Sequence, residues 1–207
     1  MKPNHDFAAR TETGGGFLFK SGTPQTEIDA IVWKAFQSGD RKAFDFIFQK
    51  HIKLLYIYGD KITKDQCLVE DCIQDLFVEL WQKREILSPV SNIKFYLLKS
   101  LRRRITRRLT SQKLVLTSSP DHDDAFSEVA DTSAERQIIE RQIIFERQQK
   151  LRQALASLSK RQREVIYLKF YEKVPYEELA GIMDVSLKSA YNLVGKAIDS
   201  LRKALKA

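Results

Sequence analysis

Seven basic side chains fall between residues 94 and 108: Lys94, Lys99, Arg102, Arg103, Arg104, Arg107 and Arg108, with no acid among them. Phe95 and Tyr96 interleave with the run. Cations hold a phosphodiester backbone while rings stack on unpaired bases, so this mixture suits single-stranded nucleic acid. An anionic membrane surface and an acidic protein are the competing partners for such a basic helix. A second group lies near the C-terminus: Lys188, Ser189, Tyr191, Asn192, Lys196 and Arg202, all able to donate to phosphates and base edges. A third is opposite in character. Asp71, Gln74, Asp75, Val78, Glu79 and Gln82 recur at helical spacing and form an acidic, amide-rich stripe. That stripe fits either a protein partner with a basic docking surface or a plain solvated face.

Enzyme chemistry finds little to build on. Metal-assisted cleavage needs converging carboxylates, and Asp71 with Asp75 is a lone pair at helical spacing. Cys67 and Cys72 make neither a disulfide framework nor a zinc ligand set, and His5, His51 and His122 are scattered. No Gly-x-x-x-x-Gly-Lys-[Ser/Thr] phosphate loop occurs. We therefore expect no enzyme, no metal, no cofactor and no small-molecule substrate. Apolar stretches are too short to span a membrane, and no signal-peptide core opens the chain, so a cytoplasmic location is expected.

The elements that position these groups read as helices throughout. The 207 residues carry a net charge of +8, which favours an anionic partner. Its distribution divides the chain: residues 27–110 sum to +5, residues 111–135 to −5 and residues 136–207 to +7. Residues 1–26, with Gly14-Gly15-Gly16 and Pro24, read as a flexible tail in which Phe17, Leu18 and Phe19 are isolated apolar residues able to dock. Asp40 is a good N-cap for a helix carrying Ala43, Phe44, Ile47, Phe48, Ile52, Leu55 and Tyr56 inward. Thr63 with Gln66 has the form of a capping box, opening a helix whose apolar set is Val69, Cys72, Ile73, Leu76, Phe77, Leu80 and Trp81. Ser88-Pro89 breaks the chain before a helix from about Ile93 to Leu109. Residues 111–135 are an acidic, Ser/Thr-rich linker.

Beyond the linker, a long polar helix is expected from about Ala134 to Ser157. Ser159 with Gln162 forms a second capping box. Pro175, then Glu177 and Glu178, open a short helix that ends near Met183. Asp184-Val185-Ser186 makes a turn, and Ser186 caps the last helix. Short helix, three-residue turn, capped helix and basic outer face together read as a helix-turn-helix, whose second helix enters the major groove. An ordinary helical hairpin is the bland alternative. No segment alternates with a period of two, so the fold class is all-α: two small helical domains, an N-terminal bundle and a C-terminal helix-turn-helix, joined by a flexible linker.

These residues, in this order, resemble bacterial RNA polymerase sigma factors of the extracytoplasmic-function type within the sigma-70 family. Gly39-Asp40 with Ala43 and Phe44, and Glu70-Asp71-Cys72-Ile73-Gln74-Asp75-Leu76-Phe77 followed by Trp81, look like the family's first conserved blocks. Leu158 to Val165 and Tyr176 to Arg202 resemble its second domain. The resemblance implies core RNA polymerase binding through Asp71, Gln74, Asp75, Phe77 and Glu79. It implies reading and melting of the −10 element by Asn92, Phe95, Tyr96, Lys99, Arg102, Arg103 and Arg104. It implies −35 recognition by Ser186, Lys188, Ser189, Tyr191, Asn192 and Lys196, and an anti-sigma factor as a further partner. On this reading residues 27–110 are a region 2-like domain and residues 136–207 a region 4-like domain. The sequence departs from the family at the turn, where Asp184 stands in the neighbourhood of a usual Gly; Asp tolerates left-handed backbone. A dimeric helix-turn-helix regulator that never touches polymerase is the alternative, and it leaves the acidic stripe without a role.

Overall fold

The computed structural model describes Phe19, residues 22–115 and residues 148–206. Most of the expected tail and most of the acidic linker lie outside the described residues. Among those described, every regular element is a helix. The chain divides into two compact units.

The first unit is built on α1 (Gln25–Gln37), α2 (Arg41–Ile62), α3 (Gln66–Gln82), a 3₁₀ turn at Arg84–Ile86 and α4 (Ile93–Val115). α1 begins two residues inside the segment expected to be tail. It presents Val32, Trp33 and Phe36 inward at helical spacing. Gly39, at a φ of 87°, turns the chain out of α1, and the Asp40 carboxylate accepts from the Lys42 N–H to start α2. The expected Thr63 cap is displaced: α3 is capped by Asp65, whose carboxylate accepts from the Leu68 N–H at 2.9 Å. Thr63 instead closes α2, and its hydroxyl accepts from the Asp65 N–H. Both Thr63 and Asp65 are capping residues by type, and Asp65 stands next to the helix. α2 and α3 approach closely at Gly59, where an added Cβ would meet Val69 at 2.4 Å.

Leu97, Leu98, Leu101 and Ile105 of α4 are fully buried, so the basic run sits on a packed helix. Rings bind the unit together. Trp33 meets Phe36 and Tyr96 at centroid distances of 5.2 Å, and Phe44 meets Trp81 at 5.2 Å. Phe19, within the segment expected to be a flexible tail, rests edge-on against Phe46 of α2.

Two buried polar groups were not singled out in the sequence. Asp29 sits on the apolar face of α1 and accepts from the Ile93 N–H at 2.8 Å, so a residue of α1 caps α4. His51 shares the inward stripe of α2 with Ile47 and Leu55. Burial lowers its pKa to about 4, helped by Lys50 and Lys94 and opposed by Asp29. Their positions carried the signal: Asp29 falls three and four residues before Val32 and Trp33, and His51 falls four from Ile47 and Leu55.

The second unit contains α5 (148–156), α6 (Lys160–Ile166), a π turn at Tyr167–Tyr171, α7 (Tyr176–Met183) and α8 (Leu187–Lys206). Only the C-terminal part of the long polar helix expected from Ala134 lies within the described residues. The Ser159–Gln162 capping box is present in both directions. α7 follows Pro175, whose carbonyl accepts from the Leu179 N–H. Asp184 takes a φ of 54°, filling the left-handed position, and the Val185 N–H bonds back to the Ala180 carbonyl. Ala190, Val194 and Ala197 bury one side of α8, and Gln162 on α6 donates to Ser200 at 3.1 Å.

Candidate docking face and nucleic-acid interface

The fold of α3 separates two faces cleanly. Cys72, Ile73, Leu76, Phe77 and Leu80 are buried, while Asp71, Gln74, Asp75, Val78 and Gln82 are exposed. Phe77 therefore stands apart from the rest of the set assigned to polymerase. Its ring packs edge-on against Phe44 and Phe48 at 6.0 and 4.9 Å, and only 4% of the residue is accessible. It supports the stripe from behind.

Glu79 is also differently placed. It lies at the edge of the stripe and pairs with Lys83, just past the end of α3, at 2.5 Å and with Arg104 of α4. Hydrogen bonds from Lys83 and Arg104 pull its carboxyl down to about 2. The acidic stripe and the basic helix, distinct in the sequence, thus meet at the Glu79–Arg104 ion pair. Glu79, Lys83, Tyr96, Ser100 and Arg104, with Leu76 and Leu80, line a shallow cleft of about 40 Å³. Such a pair links residues 25 apart on different helices and leaves no local signal in sequence.

Along α4 the expected −10 residues divide by exposure. Lys99 and Arg103 are exposed, as are Thr106 and Arg107 further along. Asn92, Phe95, Tyr96, Arg102 and Arg104 are half-buried. Asn92 caps α4, its side chain accepting from the Phe95 N–H at 3.1 Å. Tyr96 packs edge-on against Trp33, and burial raises the pKa of its phenol despite a hydrogen bond with Ser100. Arg104 is committed to Glu79. Lys99 and Arg103 are the exposed basic residues of this set.

Ser186, just before α8, and Lys188, Ser189, Tyr191, Asn192 and Lys196 on it are all exposed. Ser186 does the work of a cap, accepting from the Ser189 N–H at 3.2 Å, and the two hydroxyls lie 2.8 Å apart. Lys188, Tyr191, Asn192 and Lys196 fall three and four residues apart and share one side of the helix. Cationic, aromatic and amide groups there face away from the buried Ala190, Val194 and Ala197. Such a face can hydrogen-bond phosphates and base edges.

Residues 47–115 match the family profile described as Sigma-70 region 2, and residues 148–201 match Sigma-70, region 4. The chain belongs to the sigma-70 family. It is similar to the ECF RNA polymerase sigma factor SigK of Mycolicibacterium vanbaalenii, 22% identical over 180 residues, covering 86% of this chain and 89% of that one. Two solved structures share its fold. One is the sigma factor RpoE in complex with the anti-sigma factor NepR from Bartonella quintana: TM-score 0.54, 20% identity, 77% of this chain and 94% of that one. The other is CnrH in complex with the cytosolic domain of CnrY: TM-score 0.56, 19% identity, 86% of this chain and 97% of that one.

In this sigma factor the region 2 match contains both the acidic stripe and the basic helix, and the region 4 match contains the helix-turn-helix up to Leu201. α1 precedes the region 2 match, yet it supplies the Asp29 cap of α4. Among the described residues no cluster of three or more metal-ligating side chains occurs, and no helix is long and apolar enough to cross a membrane.

Proposed function

We propose that this sigma factor is a promoter-specificity subunit: it binds core RNA polymerase and directs transcription initiation by reading a −35 duplex and melting a −10 element. The observation that carries the reading is the separation of charge within one unit. An exposed acidic stripe on α3 stands beside a packed basic helix in a chain whose net charge is +8. An acidic face disfavours DNA and favours a protein partner with a basic surface.

Asp71, Gln74 and Asp75 form the docking face, with Phe77 holding it from the core and Glu79 at its border. Lys99 and Arg103 hold the backbone of the displaced strand, while Phe95 and Tyr96 receive unpaired bases. Lys188, Tyr191, Asn192 and Lys196 contact the −35 duplex, and Ser186 and Ser189 fix the start of the reading helix. Residues 27–110 and 136–207 are the two working domains. The chain has no active site of its own; strand opening is driven by binding energy. An anti-sigma factor is a further partner, a reading supported by the complex in which the Bartonella quintana relative was solved.

The test is to mix the purified chain with sigma-free core RNA polymerase and follow gel filtration at moderate salt. A one-to-one complex is expected. Reversing charge with Asp75→Lys is expected to weaken that complex about tenfold or more, because it places like charge against a basic partner. A chain that elutes alone as a DNA-binding dimer overturns the reading in favour of a conventional helix-turn-helix regulator. Unchanged affinity of Asp75→Lys overturns the assignment of the docking face.

A further inference from the structure

The exposed face of α8 contains one residue that is held as few surface residues are. Tyr191 is 50% accessible, yet its ring lies 3.9 Å, centroid to centroid, from the ring of Tyr176 at an interplanar angle of 22°. Tyr176 is the first residue of α7. Over Tyr176 stands the Lys169 ammonium, 4.1 Å from the ring centroid. The three groups form a column of cation, ring and ring that ends on the side of α8 shared by Lys188 and Asn192.

The local backbone is shaped to build this column. Lys169 lies within the π turn at Tyr167–Tyr171, a form of helix whose wider loop is uncommon and frequently sits at functional sites. Lys173 then takes a φ of 54°, a left-handed conformation unfavourable for a residue with a side chain. The reversal brings the Val174 carbonyl within 3.1 Å of Lys169 Nζ, which anchors the ammonium, and it starts α7 with Tyr176 in place. A π turn and a strained lysine within seven residues are costly for a mere connection.

We propose that Lys169 and Tyr176 are positioning residues that preset Tyr191 as a specificity-determining side chain of the recognition helix, a proposal that rests on the reading of α8 as a duplex reader. A tyrosine free to rotate loses that freedom on entering a groove, and the loss subtracts from discrimination between base pairs. Stacking removes the freedom beforehand. It leaves the hydroxyl and one ring edge to meet a base edge or a thymine methyl in the major groove. Lys188 and Asn192, beside it, hold phosphate or read the neighbouring pair.

The experiment selects from a promoter duplex randomised across the −35 region, using the full chain assembled with core polymerase. The wild-type complex is expected to enrich one motif. Tyr176→Ala is expected to lose preference at a single base-pair position by about tenfold, with the other positions retained. Tyr176→Phe retains the motif, and Lys169→Met loses a smaller part of the same preference. Tyr191→Ala loses that same position. If Tyr176→Ala fails to fold, as judged by its circular dichroism, Lys169→Met alone decides. A motif unchanged in Lys169→Met and Tyr176→Ala, or weakened evenly at every position, overturns the column as a specificity device. No motif with the wild-type complex overturns the reading of α8 itself, and with it the proposal.

Discussion

In the first unit, hydrogen bonds join residues far apart in the chain. Ile93 donates to Asp29 across 64 residues, Trp33 to the Ser88 carbonyl across 55 and Gln37 to the Leu87 carbonyl across 50. In the second unit the defining bonds are local. Ser159 and Gln162 are three apart, as are Ser186 and Ser189, and Tyr167 donates to Glu172 five residues on. The longer tie from Gln162 to Ser200 spans 38. One unit is specified by its interior, the other by its helix ends. The difference determines which substitutions each will tolerate.

The largest expected effect is in the interior of the first unit. Leu101→Ala removes a fully buried side chain of α4 and is expected to cost about 2–5 kcal/mol. Both tryptophans, Trp33 and Trp81, belong to this unit, so urea unfolding followed by tryptophan fluorescence reads it directly. A change well below that range would mean the basic helix is only loosely packed.

Acid acts on the same unit through His51. Its folded pKa of about 4 lies below the ordinary histidine value of 6.5, so between those values the unfolded chain binds the proton and the folded chain does not. Stability present above pH 6.5 is therefore lost as pH falls towards 4, by up to roughly 3 kcal/mol, and the slope vanishes below. His51→Gln is expected to flatten this part of the profile of urea midpoint against pH.

Glycine makes the contrast between the units sharpest. Gly59→Ala drives a methyl into Val69 and is expected to destabilise the first unit by about 1–3 kcal/mol. Gly195, in the middle of α8, has open space where its Cβ would stand. In the second unit, Ser186→Ala removes the cap of α8 and is expected to cost about 1 kcal/mol, seen as faster amide exchange in its first turn. Gly195→Ala is expected to stabilise α8 by up to about 1 kcal/mol, since alanine is the better helix former. Thermal melting of both glycine variants gives the two signs; the same sign in both would break the comparison.

The same contrast explains what was legible in the sequence. The caps at Asp40, Ser159 and Ser186, the short α7 and the left-handed Asp184 depend on neighbours in the chain, and the pattern of residues located them. The exposed side of α8 followed from periodicity. The Thr63 cap failed because two capping residues compete two positions apart, and adjacency to the helix decides between them. Phe77 belonged by spacing to the apolar set and by family resemblance to the docking set; packing against Phe44 and Phe48 places it inward. The Glu79–Arg104 pair, the Asp29 cap and the Lys169–Tyr176–Tyr191 column join side chains from different elements; the sequence reading named Glu79, Arg104, Tyr176 and Tyr191 without their meetings, and passed over Asp29 and Lys169.

The bond from Ile93 to Asp29 has a consequence for order in time. It closes a loop of 64 residues before the first turn of α4 is satisfied, and closing long loops slows folding. The start of α4, with Asn92, Phe95 and Tyr96, is therefore completed only when α1 has docked. During synthesis α1 leaves the ribosome first and waits through the making of α2 and α3. The surface assigned to unpaired bases is then assembled late, on a helix whose beginning is held by the earliest helix of the unit.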